Sequence, residues 1–153
     1  MVSVVNEKPS DFVALQEYAP NVIIRLKYST SNNFTGRPVK GYENRICWLT
    51  SAAADALKLV SSEAMSQGYI LVVYDAYRSV TSVRDFQNWA ADHTDDDDAE
   101  TKRKYYPTYT KKALFEGGYI AGNSSHSRGS TVDVTLLRIV DRSQFDSQEI
   151  VER

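Results

Sequence analysis

Residues 67–79 read QGYILVVYDAYRS. Tyr69 to Tyr74 form an unbroken apolar and aromatic run, rich in β-branched residues and closed by an acid. A run this short, with no polar position at helical spacing, predicts a strand buried on both faces at the centre of a sheet. Ser79 follows as a helix cap, and Val80, Val83, Phe86 and Ala90 then recur on one inward face. On the other side, Gly68 suits the end of a helix that Thr50 caps and that runs to about Gln67. Its inward positions are Ala53, Leu57, Val60 and Ala64.

Further out, Asn21 to Tyr28 (NVIIRLKY) predicts a strand. The segment SNNFTGRPVKGYEN then reads as a loop or loose hairpin. Asp95 to Lys104 (DDDDAETKRK) reads as a solvated loop or helix start, with a metal role as its lesser alternative. Thr110 to Glu116 predicts a short helix, and GGYIAGNSS a loop. Thr131 to Arg138 (TVDVTLLR) alternates. Val132, Val134 and Leu136 point one way, to bury the strand, and Thr131, Asp133 and Thr135 point the other. Neither an internal repeat nor an interdomain linker is present. The expected fold is one α+β domain over residues 1–153, a small, mostly antiparallel sheet with helices packed on one side.

The chain has 153 residues, 42% hydrophobic and 25% charged, and a net charge of -2. That balance is ordinary for a globular domain and offers no basic surface for nucleic acid. No apolar stretch reaches the length of a membrane span. Cys47 is the only cysteine, so no internal disulfide forms. The N-terminus lacks the basic start and long apolar run of a signal peptide. Together these lead to an expected cytoplasmic location. Ten tyrosines hint at a polar aromatic pocket.

Chemistry concentrates in SSHSRGSTVD, residues 124–133, which holds one of only two histidines. Gly129 allows a sharp turn, so His126 can return to the side to which Asp133 projects. An imidazole nitrogen and a carboxylate oxygen are two of the usual zinc ligands. Spacing alone leaves a hydrogen-bonded structural pair as the alternative. Arg78, at the end of the central strand, can hold a carboxylate in a fork or face charge developing on a carbonyl oxygen. The plainer reading pairs it with a nearby acid such as Asp75.

The stretch SSHSRGSTVDVTL resembles the zinc motif of the D-alanyl-D-alanine dipeptidases, in Ser124, His126, Gly129 and Asp133. YDAYR resembles the arginine motif of the same family. LKYSTSNNFTGRPVKGYENR and the QGYILVVYDAYRSVTSV…FQNWA block are similar to it as well. The likeness runs from about Asn21 to Arg138 and implies a zinc metallopeptidase that cleaves D-alanyl-D-alanine. Such cleavage depletes the cell-wall precursor that glycopeptide antibiotics recognise. It implies His126 and Asp133 as zinc ligands and Arg78 as the catalytic group that stabilises the oxyanion. Tyr28, Ser124 and Ser125 line the dipeptide pocket on this reading, with Tyr77 as a further pocket or supporting group.

The family also uses a Glu-x-x-His element, glutamate as general base and histidine as third zinc ligand. No Glu-x-x-His occurs in the 153 residues; the other histidine is His93, and the tail DRSQFDSQEIVER offers Glu149 and Glu152. Three readings follow. The chain is a shortened form of a longer enzyme, lacking the family's C-terminal segment. Or it is a non-catalytic paralogue that binds a D,D-dipeptide or cell-wall peptide. Or Glu149, Glu152 or a partner chain restores the missing groups. Loss of a covering segment also predicts exposed apolar surface and self-association.

Overall fold

The computed structural model describes residues 9–92, 99–118, 120 and 123–139. These form an α+β fold, as expected, with the strands divided between two small sheets. The apolar run becomes β4 (Tyr69–Asp75), the middle strand of the sheet β2-β4-β5. Leu71, Val72 and Val73 are all at most 2% exposed, which is why the run carries no polar residue before Asp75. β2 (Ile23–Ile24) pairs parallel to β4, and β5 (Asp133–Arg138) antiparallel. A separate antiparallel pair joins β1 (Phe12–Ala14) to β3 (Trp48–Thr50).

The strand expected over residues 21–28 is shorter than its pattern. The Arg25 N–H still donates to Val73 O (2.8 Å), but the chain then tightens into a 3₁₀ turn at Lys27–Ser29. Leu26 O accepts there from the Ser29 N–H (3.2 Å) and hydroxyl (2.8 Å), a local bond that competes with the ladder. The following segment is not loose. The buried Asn33 side chain donates to Thr30 O (2.6 Å) and Arg37 O (2.8 Å) and accepts from the Thr35 N–H (2.8 Å). Arg37 donates to both oxygens of Asp85 (2.7 and 3.2 Å), and the Lys40 N–H adds a third bond (3.1 Å). These contacts clamp the loop to α3.

α2 (Ser51–Ser66) starts after Thr50 and stops at Gly68, whose φ of 81° is left-handed. Thr50 occupies the cap position without a side-chain cap bond. The buried residues are Ala54, Leu57, Ser61 and Ala64; Leu57 and Ala64 belong to the expected face, Ala53 packs half-buried against the core, and Val60 is instead 51% exposed. α3 (Val80–Ala91) starts at Ser79, whose hydroxyl accepts from the Ser82 N–H (3.1 Å). It buries Val83, Phe86, Trp89 and Ala90, while Val80, in its first turn, is 58% exposed. α1 (Leu15–Tyr18), α4 (Ala99–Tyr105) and α5 (Lys111–Glu116) complete the helices among the described residues; Thr110 caps α5 by accepting from the Ala113 N–H (3.1 Å). His93, Asp95–Asp98, Glu149 and Glu152 lie outside the described residues.

β5 corrects one expectation. Val134 and Leu136 do not bury the strand; they are 46% and 51% exposed. They lie opposite Val73 and Leu71, but among the described residues α2 packs chiefly over β4 rather than over the edge strand β5. Leu59, Val60, Tyr69 and Leu136 border the resulting apolar groove. No helix among the described residues is long and apolar enough to cross a membrane.

Two backbone features aim the loop and strand that carry His126 and Asp133. Gly129 ends a 3₁₀ turn (Ser125–Arg128) at φ 77°, so the chain reverses as its sequence suggested. The register of β5 on β4 runs Thr135 to Val72 and Val134 to Val73, then skips Tyr74 and sets Asp133 opposite Asp75. Without that bulge Asp133 would face Tyr74.

Two outcomes follow. A Cβ at Gly129 would both strain a left-handed residue and run into the Phe12 ring. Gly129→Ala is therefore expected to lose about 2–4 kcal/mol in a urea melt. The Asp85 carboxyl is held below the usual carboxylate range; burial alone would raise it, but the Arg37 fork and the Lys40 N–H outweigh burial. A depressed folded pKa stabilises above the ordinary value near 4 and ceases to do so as pH falls through the folded value. Arg37 is half-exposed, so the screened contribution is about 1 kcal/mol. The stability gap between the parent protein and Arg37→Met should be widest at neutral pH and close below about pH 4.

Candidate active site

Asp75, His126 and Asp133 come from the end of β4, the turn before Gly129 and the start of β5. Each offers one candidate ligand atom, all within 4.8 Å of one another. They do not have equal freedom. Asp75 is 1% exposed and already engaged: Oδ1 accepts from the Tyr42 hydroxyl (2.7 Å), and Oδ2 from Arg78 Nη2 (2.7 Å) and Nε (3.1 Å). Burial pushes its carboxyl up, against the pull of Arg78, Tyr42 and His126. Burial would in turn lower Arg78, but the Asp75 carboxylate outweighs it and raises the guanidinium.

His126 is oriented by its other nitrogen. Nδ1 lies 2.7 Å from Ala76 O, to which it donates, and in the neutral ring this turns the Nε2 lone pair towards Asp133. Nε2 stands 3.5 Å from Asp133 Oδ1. Two acceptors aimed at one another call for a proton or a cation between them. Ligands held tetrahedrally at zinc distances stand about 3.4 Å apart, so this pair fits the ion. The backbone bond on Nδ1 is the usual means of fixing a ligating imidazole. His126 is buried and Asp133 half-open, which leaves one side for a further ligand or substrate.

A cavity of about 310 Å³ adjoins this cluster, lined by Tyr28, Phe34, Arg78, Phe86, Ser124 and Ser125 among others. Arg78 links the two, since it lines the cavity and pairs with Asp75. Its guanidinium lies 5.2 Å from the Tyr28 ring centre and 5.1 Å from that of Phe86, and Nη1 is 3.5 Å from Ser124 Oγ. Its backbone N–H donates to His126 O (3.2 Å), tying strand end to loop. Ser124 Oγ also accepts from the His126 N–H (3.3 Å). Burial pushes the Tyr28 phenol up to about 12, against Arg78, so it remains a donor at neutral pH.

The structure thus brings together Arg78, His126, Asp133, Tyr28, Ser124 and Ser125. Tyr77 is elsewhere: its ring packs edge-on against Phe12, 5.1 Å between centres, and does not line the cavity. The plainer reading of Arg78 is met, since it pairs with Asp75, and the same side chain also borders the cavity. Sequence reasoning missed the hydrogen-bonding role of Tyr42 and the walls Phe34, Ile120 and Asn123. Phe34 and Tyr42 lie in the segment read as a loose loop, and nothing in that segment signals a contact with Asp75.

The family profile described as D-ala-D-ala dipeptidase, of the M15 peptidases, matches residues 8–147. Similar curated proteins include the D-alanyl-D-alanine dipeptidases of Enterococcus faecalis, 45% identical, and Enterococcus faecium, 42% identical, each over 129 residues. That of Streptomyces coelicolor is 38% identical over 130 residues. Each alignment covers 84% of this chain and 62% of the relative, so the chain spans somewhat under two thirds of the length of these proteins.

Replacing His126 with Ala should remove zinc uptake, measured as metal per chain after dialysis. Asp133→Asn should weaken uptake by about 10–100-fold, since a neutral amide oxygen is a poor substitute for the carboxylate.

Proposed function

Because the chain belongs to the D-Ala-D-Ala dipeptidase family of M15 peptidases, we propose that it hydrolyses the amide bond of D-alanyl-D-alanine, with zinc held by His126 and Asp133. The observation that carries this reading is the double engagement of Arg78, which Asp75 fixes beside His126 while its Nη1 borders the cavity. Bound zinc would supply a polarised carbonyl and an acidified water.

The chain's own residues supply the rest. The Arg78 guanidinium faces the charge that develops on the carbonyl oxygen, and its direction is set before substrate arrives. The protonated Tyr28 phenol and the hydroxyls of Ser124 and Ser125 offer hydrogen bonds to the polar backbone of the dipeptide. Phe34, Val83, Phe86 and Ile120 give the cavity apolar walls suited to methyl groups. In the cell, this activity would deplete the precursor that glycopeptide antibiotics bind. We place the protein in the cytoplasm, which suits its single, buried cysteine. The exposed Leu59, Val60, Val134 and Leu136 support self-association.

A second reading has support in one observation. Asp75 is committed to Arg78 and Tyr42, which leaves His126 and Asp133 as the open ligands of the cluster among the described residues. On that reading the domain binds a D,D-dipeptide without cleaving it.

Zinc per chain, dipeptide affinity and D-alanine release separate the two. Metal with release is expected. Binding without release favours the second reading, and neither binding nor release rejects both. Arg78→Ala would strand a buried carboxylate and confuse turnover with folding. Arg78→Lys keeps the charge and loses the fork; it should lower kcat by about 100-fold while Tm moves only a few degrees.

A further inference from the structure

Tyr42 does not line the cavity and is 6% exposed, yet it touches two of the supports of the guanidinium, Asp75 and Tyr28. Its hydroxyl donates to Asp75 Oδ1 (2.7 Å). Its ring rests on that of Tyr28, 5.6 Å between centres, and Tyr28 carries Arg78 on its face at 5.2 Å.

The carboxylate between them has competing partners. Asp75 Oδ2 lies 2.7 Å from Arg78 Nη2 and 3.6 Å from His126 Nδ1. Rotation about the last torsion of an aspartate is soft. A small turn would trade the guanidinium for the imidazole, and would pull Nδ1 from Ala76 O, 2.7 Å away. With Oδ1 held by a phenol, that turn breaks a buried hydrogen bond and leaves an acceptor unsatisfied. Burial and the Asp75 charge both push the Tyr42 phenol far up, so it stays a donor. The segment carrying Tyr42 is itself held, through Arg37 and Lys40, by Asp85, next to Phe86 on α3.

We infer that Tyr42 is a positioning residue: through its hydrogen bond to Asp75 it sets the direction in which the Arg78 guanidinium enters the cavity. Its catalytic consequence rests on the reading of Arg78 as the group facing the substrate carbonyl; the positioning does not.

The test uses the full chain, ¹⁵N-labelled and zinc-loaded. Hydrogen exchange at Arg78 Nε–H is followed by NMR in the parent and in Tyr42→Phe, with backbone amides of β4 and α2 as the fold reference. Tyr42→Phe should speed Nε–H exchange about tenfold, a lost hydrogen bond's worth. Backbone protection and zinc content should stay within about twofold of the parent. In an Asp75→Asn background, adding Tyr42→Phe should produce no further acceleration, because the effect runs through that carboxylate. Where D-alanine is released, kcat should fall about tenfold with KM nearly constant. Unchanged Nε–H exchange overturns the inference, and so does a matching loss of backbone protection, which would make Tyr42 a packing residue only. Faster exchange with undiminished release retains the positioning and counts instead against Arg78 in the proposed reaction.

Discussion

The site is organised around one buried ion pair, Asp75 with Arg78, closed at 2.7 Å. Burying two charges costs several kcal/mol per ion before their attraction is counted, so such a pair is poor evidence for stability. Its value here is directional. Three bonds hold the carboxylate, two of them from one guanidinium, and the remaining Nη1 is left at the cavity wall. The same arrangement withholds Asp75 from His126, whose Nδ1 goes to a backbone carbonyl and whose Nε2 is thereby freed.

Everything else on that side of the molecule serves this pair. β4 delivers Asp75 at its end, where the buried ladder stops and a polar side chain can be satisfied by others. The bulge at Tyr74 moves Asp133 across from Asp75, and the left-handed Gly129 brings His126 back over both. The aromatic shelf of Tyr28 and Phe86 limits where the guanidinium can lie. A rigid surround of this kind fixes the direction of the guanidinium before anything enters the cavity.

Much of this was visible in the residues themselves. The apolar run announced β4, Ser79 marked the start of α3, and Gly129 implied the turn that makes His126 and Asp133 converge. These are local signals, and local signals survive folding. The rest depended on distance. Whether Val134 and Leu136 are buried is decided by how far α2 extends over the sheet, not by the alternation of β5. On α2, Leu57 and Ala64 face inward as their spacing suggests, while Val60 stays exposed and Ser61 is buried in its place. The bulge leaves no mark at Tyr74, and the bond from Tyr42 to Asp75 spans 33 residues through a segment that reads as a loop. Asp75 itself was legible only as a partner for Arg78.

The Phe12 ring lies against Gly129, so two ends of a long stretch of polypeptide meet at the turn that holds His126. Contacts between residues so far apart in the chain form late, because a large loop must close first. During synthesis the early segments emerge well before the imidazole and Asp133 do. The pairing of His126 with Asp133 therefore has no counterpart in a nascent chain: it belongs to the last stage of maturation, when the first strand has already found its place.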